Sequence, residues 1–185
     1  GPFYKSTTLK EVIIDDNAAI IPDYLFENCS GLETIDIPSA VQTIGKSAFR
    51  SCTNLTEIEI PSSVTNIGCD AFYYCSNLEK LTLNEGLKTI GANSFQGTKI
   101  SSVNIPSTLT AVNMPSYDDH GPFTGCKSLK NVTFDDKTTK IIDYLFDGCS
   151  GLEITTIPDT ITNIGNSAFY NCTRPSGSER ASLHA

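Results

Sequence analysis

Residues 47–72 read Ser47-Ala48-Phe49-Arg50-Ser51-Cys52-Thr53-Asn54-Leu55-Thr56-Glu57-Ile58-Glu59-Ile60-Pro61-Ser62-Ser63-Val64-Thr65-Asn66-Ile67-Gly68-Cys69-Asp70-Ala71-Phe72, and the stretch ends as it began, on Ala-Phe. The same cycle runs along the chain. Phe3, Phe26, Phe49, Phe72, Phe95, Phe123, Phe146 and Phe169 are separated by 23 residues in six of seven intervals and by 28 in the other. A fixed period of this length is the signature of a repeat architecture. One such unit cannot bury its apolar side alone. Stacked units can, because like residues form continuous ladders.

Within a unit, Ile58 and Ile60 alternate with Glu57 and Glu59, the period of a half-buried strand. Pro61 ends that strand because it donates no ladder hydrogen bond. Pro38, Pro106 and Pro158 hold the same place, and Asp15, Asn84 and Asp135 replace it with other turn-forming residues. Gly45, Gly68, Gly91 and Gly165 are expected to mark a bend with positive φ; Asn113 can imitate glycine at that place, but Pro22 and Ile142 cannot, so those two rungs must turn differently. The short run from Ser47 to Cys52 is expected to make one helical turn. The fold class that follows is a mainly β repeat solenoid, with a parallel sheet on one face and short helical turns and loops on the other.

A longer period overlies the short one. Gly1-Pro2-Phe3 recurs as Gly121-Pro122-Phe123, and Phe26-Glu27-Asn28-Cys29-Ser30-Gly31-Leu32-Glu33 as Phe146-Asp147-Gly148-Cys149-Ser150-Gly151-Leu152-Glu153, both shifted by 120 residues. Whole blocks of repeats have been duplicated. The expected organisation is one solenoid over residues 1–173, a piece of a longer array, with residues 174–185 as a disordered tail or cap.

The pattern Leu55-x-x-Ile58-x-Ile60-Pro61-x-x-Val64-x-x-Ile67-Gly68-x-x-Ala71-Phe72-x-x-Cys75 resembles the BspA-like leucine-rich repeats, also called the Treponema pallidum type. The resemblance covers nearly everything from Phe3 to Cys172. It implies a curved solenoid, secreted or displayed on a cell surface, whose relatives include adhesins for host matrix proteins or other microbes.

Alternation points two columns of side chains outward from the sheet. One runs Glu11, Thr34, Glu57, Lys80, Ser102, Asn131, Ile154; its neighbour runs Ile13, Asp36, Glu59, Thr82, Asn104, Thr133, Thr156. Repetition fixes the buried places and leaves these free to vary, so this face is the candidate ligand-binding surface. It is acidic around Asp36, Glu57 and Glu59. A second candidate is the insertion between Val112 and Phe123, including Tyr117, Asp118, Asp119 and His120, since insertions in repeats map to loops that often bind.

The net charge of −8 is the wrong sign for partners held through phosphates, so nucleic acid and anionic lipid are not expected. No apolar run reaches the length of a membrane span. Catalytic material is scarce: the histidines are His120 and His184, and no nucleophile elbow, metal-protease helix or phosphate loop occurs. The chain is therefore not expected to be an enzyme or to carry a cofactor. Six cysteines fall three residues after a ladder Phe, at Cys29, Cys52, Cys75, Cys126, Cys149 and Cys172, with Thr98 in the gap. Pairing neighbours in two groups of three strands one thiol in each, so they are expected to be free, buried fillers. Cys69, in a variable column, is expected to be exposed. The partner expected is a protein or glycoprotein, extracellular matrix included; the alternative reading is a structural spacer or stalk that carries another domain. The chain itself is expected to be monomeric or to stack through open solenoid ends.

Overall fold

The computed structural model describes residues 2–116, 120–153 and 157–172. The chain winds as a parallel β-solenoid of about six turns, and no helix occurs among the described residues. Along one side lie β1 (Glu11–Val12), β3 (Thr34–Ile35), β5 (Glu57–Ile60), β7 (Lys80–Leu83), β9 (Ser102–Ile105) and β11 (Asn131–Phe134). A second side carries β2 (Ile20–Ile21), β4 (Thr43–Ile44), β6 (Asn66–Ile67), β8 (Thr89–Gly91), β10 (Ala111–Asn113), β12 (Lys140–Ile141) and β13 (Asn163–Ile164).

The first side is the expected strand face. Ile58 and Ile60 point inward and Glu57 and Glu59 outward, and the register sets Glu57 beside Lys80 and Ile58 beside Leu81. Its ladder is divided into the pairs β1–β3, β5–β7 and β9–β11. The longer continuous sheet is the second one, in the order β10-β8-β6-β4-β2. The sequence reading missed that sheet, because a segment of two or three residues is too short for alternation to show. Pro38, Pro61, Pro106 and Pro158 each accept a turn hydrogen bond from the residue three further on, such as Val64 N–H to Pro61 O at 3.0 Å. Asp15 and Asp135 do the same, and their carboxylates also accept from the N–H of Asn17 and Lys137.

The run from Ser47 to Cys52 corrects the helical expectation. Ser47 and Ser51 have φ of 53° and 58°, and left-handed residues flank the ladder Phe in the same way at Tyr24 and Asn28, and at Asp70 and Tyr74. The N–H groups of Ser47, Phe49 and Ser51 donate to Cys69, Ala71 and Tyr73 of the next rung at 2.8–2.9 Å. Those of Ala48, Arg50 and Cys52 donate back three residues within their own rung. A helix keeps its N–H groups to itself. Here alternate groups turn out to the neighbouring rung, and those bonds offset the roughly 1–2 kcal/mol cost of each left-handed residue.

The glycine column is also explained differently from the expectation. None of Gly45, Gly68, Gly91 and Gly165 is among the positive-φ glycines. A Cβ at Gly68 would sit 2.6 Å from the backbone nitrogen of Lys46, and one at Gly91 would strike Cys69 N. Close approach of rung to rung, rather than a left-handed bend, requires glycine. Where Pro22 and Ile142 stand in its place, the following aspartate bonds the next rung. Asp23 Oδ1 accepts from Lys46 N–H at 2.7 Å, and Asp143 Oδ1 from Asn166 N–H at 2.9 Å.

The core is a column of stacked phenylalanines from Phe3 to Phe169, with ring centroids 5.1–5.8 Å apart. Columns of Leu and Ile run beside it, with Leu55, Ile60, Val64 and Ile67 fully enclosed. The tail expected over 174–185 lies outside the described residues.

Candidate functional site

The outward columns stand where alternation places them. Glu11, Thr34, Glu57, Lys80, Ser102 and Asn131 are all exposed, as are Ile13, Asp36, Glu59, Thr82, Asn104 and Thr133. Ile154 and Thr156, which were expected to continue the columns, lie outside the described residues. Parallel register brings like-placed residues of successive rungs side by side, so the face pairs across rungs. Lys80 Nζ lies 3.4 Å from Glu57 Oε2, Asn84 Nδ2 donates to Glu59 Oε1 at 3.0 Å, and Thr133 Oγ1 donates to Asn104 Oδ1 at 2.8 Å. Exposed pairs of this kind stabilise by only about 0–1 kcal/mol. They fix the shape and charge of the face more than they hold the fold. Around Asp36, Glu57 and Glu59 the face forms a depression of about 480 Å³, bordered by Thr34, Pro61, Lys80 and Thr82.

Of the insertion, Tyr117, Asp118 and Asp119 lie outside the described residues. His120 is described: its Nδ1 lies 3.6 Å from Oδ2 of Asp147, a residue of the next Phe turn. Tyr144 and Tyr170 border the same place. The sequence reading missed these three partners. The signal that could have found them is the 120-residue duplication, which aligns Arg50 of the first block with Tyr170 of the second.

The cysteine column has a structural task. No disulfide joins any of the seven cysteines. Cys52 Sγ donates to Phe26 O of the preceding rung at 3.2 Å, and Cys75, Cys126, Cys149 and Cys172 to Phe49, Phe95, Phe123 and Phe146 at 3.1 Å. Burial, which disfavours the thiolate, pushes Cys75 and Cys126 up to about 12 and Cys172 up to about 11. Cys75 and Cys126, held neutral and enclosed in this way, are inert as nucleophiles or ligands. Thr98 stands in the rung that is one residue short, and its hydroxyl donates to Phe95 O of its own rung at 2.8 Å. Cys69 corrects an expectation: it is only 9% exposed. Ala92 stands beside it in the next rung, and past that small side chain the Cys69 thiol reaches Asn113 O at 3.5 Å. Among the described residues no group of three or more His, Cys, Asp or Glu side chains could hold a metal ion, and no helix is long and apolar enough to cross a membrane.

A solenoid of short parallel strands, stacked core columns and a variable outer face defines the protein as a leucine-rich-repeat protein. The model of the BspA type leucine rich repeat region matches residues 2–121 and 119–177 in six copies, and the chain belongs to that family. Similar solved structures agree. A leucine-rich repeat protein from Eubacterium ventriosum is 26% identical with a TM-score of 0.78, covering 95% of this chain and 45% of its own. A leucine rich cell surface protein from Faecalibacterium prausnitzii is 27% identical with a TM-score of 0.63, covering 92% and 54%. The T. pallidum leucine rich repeat protein is 28% identical with a TM-score of 0.70, covering 83% and 70%. The chain thus spans about half the length of the first two. No curated protein matches it. Proteins of this family are non-enzymatic repeat proteins, often at the cell surface, and their repeats generally mediate protein interactions.

Proposed function

We propose that this chain is a cell-surface or secreted adhesion module that recognises a protein or glycoprotein partner through the outward face of β3, β5 and β7. The observation that supports this is the contrast between fixed and free positions. Inward places repeat Ile, Leu and Val from rung to rung, whereas outward places change from Thr34 to Glu57 to Lys80 and from Asp36 to Glu59 to Thr82. The acidic depression at Asp36, Glu57 and Glu59 is complementary to a basic patch on the partner. The face has few aromatic anchors, so contact at each copy is weak and strength comes from multivalency.

Binding of the purified chain to immobilised matrix proteins and mucins tests this, with the triple variant Asp36→Lys, Glu57→Lys, Glu59→Lys alongside. The expected result is saturable binding that falls with salt and is lost in the variant. Equal binding by a folded variant, or none by the folded parent, would sink the strand-face reading.

A further inference from the structure

A cavity of about 700 Å³ lies on a different side of the coil, where the insertion meets the last turns. Its walls include Met114 and His120 from the two ends of the insertion, and Tyr144, Asp147, Ser167 and Tyr170 from the rungs that follow. The volume falls within the usual range for small-molecule pockets, roughly 300–1,000 Å³. Tyr170 is 60% exposed, so its ring is available to a ligand rather than committed to the core.

The chemistry of the walls narrows the ligand. The Asp147 side chain is only 13% exposed and already faces an imidazole, His120 Nδ1 at 3.6 Å. An anionic ligand would meet the carboxylate. What remains is two phenol rings, a serine hydroxyl, an acceptor carboxylate and a thioether. Aromatic faces carry partial negative charge and attract weakly positive C–H groups. A carboxylate with neighbouring hydroxyls suits a ligand rich in O–H donors.

The duplicated block supplies a comparison inside the same chain. Shifted by 120 residues, Tyr144, Asp147, Ser167 and Tyr170 correspond to Tyr24, Glu27, Ser47 and Arg50. In the first block Arg50 occupies the acid, with Nε 3.9 Å from Glu27 Oε1 and its guanidinium 4.6 Å from the Tyr73 ring centroid. The second block has Tyr170 in place of that arginine, which exchanges a cation for an aromatic ring beside the acid.

We propose that this cavity is a glycan subsite that takes a neutral hexopyranose, with a sugar face against Tyr170 or Tyr144 and hydroxyls donating to Asp147. The site is independent of the strand-face reading, and its test is read separately. The chain, labelled at tyrosine, is titrated with glucose, galactose, mannose, N-acetylglucosamine and their short oligomers, and with tetramethylammonium, while ring signals are followed by NMR. At least one sugar should move the Tyr144 and Tyr170 signals with millimolar affinity. Tyr170→Ala and Tyr170→Arg should each weaken it by about tenfold or more. The arginine variant reproduces the first block's residue at an exposed place, so folding is preserved. The Asp36, Glu57, Glu59 triple-lysine variant should bind the sugar unchanged. The proposal is overturned if no sugar moves these rings at about 50 mM, if the shifts fall elsewhere, or if tetramethylammonium alone moves them, which would make the cavity an aromatic cation site.

Discussion

The Cys75 thiol donates to the carbonyl oxygen of Phe49, one rung back, at 3.1 Å. That single contact ties the small-residue column to the aromatic column, and it recurs with the same 26-residue separation at Cys52, Cys149 and Cys172. The thiols are therefore structural hydrogen-bond donors. At pH 8 a disulfide reagent should titrate no more than about one of them in the native protein, at half-buried Cys172, and all seven cysteines in guanidinium. Rapid native reaction of two or more would contradict the enclosure described.

The raised thiols make stability depend on alkaline pH. In the unfolded chain cysteine ionises near 8.5, whereas the folded values of Cys75 and Cys126 are about 12 and that of Cys172 about 11. Above pH 8.5 the unfolded state binds fewer protons than the native one, so unfolding free energy falls as pH rises. The contribution is complete below about 8.5 and is lost as pH climbs through the folded values. Thermal melts from pH 7 to 11 should show Tm declining beyond pH 8.5. The decline should shrink in Cys75→Ala, whose own Tm is lower at every pH.

Two glycines should respond in opposite degree to the same substitution. Gly91→Ala drives a methyl group into the Cys69 backbone, which cannot move without shifting a rung, and should cost several kcal/mol or abolish folding. Gly125 has φ of +64° but nothing within 4 Å of an added Cβ, so Gly125→Ala should cost only about 1 kcal/mol of backbone strain. Denaturant midpoints of the two variants check this.

Phe72 is fully buried between Phe49 and Phe95, with ring centroids at 5.1 and 5.2 Å. Phe72→Ala should lower stability by about 3–5 kcal/mol. Urea unfolding followed by tyrosine fluorescence measures it, and a loss below about 1 kcal/mol would show that neighbouring rungs collapse into the gap.

The period of 23 made the coil, the strand face and the outward columns legible, because each inward residue recurs at the same place. Three features were not legible, each for a physical reason. The left-handed residues flanking the ladder Phe are mostly Ser, Asp, Asn and Tyr, and glycine holds the place only at Gly97, Gly125 and Gly148, so no column of glycine announced them. The glycine column looked like a bend because close backbone approach and positive φ leave the same trace in a sequence. Cys69 stands in a column that varies from Lys46 to Asn166, so its enclosure and its contact with Asn113 O left no trace in the repeat. The cavity at Tyr170 depends on side chains of different rungs meeting beside an insertion, and only comparison of the two blocks hints at it.

The recurring bonds between rungs join the same atoms of one unit to the same atoms of the next: Phe N–H to the following Ala or Ser carbonyl, or to Pro122 O from Phe95, thiol to the preceding Phe carbonyl, ring on ring. A copied block therefore arrives with both of its joints already matched, and a gene segment can be doubled without evolving a new interface. Novelty is then free to enter one residue at a time, on places the joints do not use, as the exchange of Arg50 for Tyr170 illustrates.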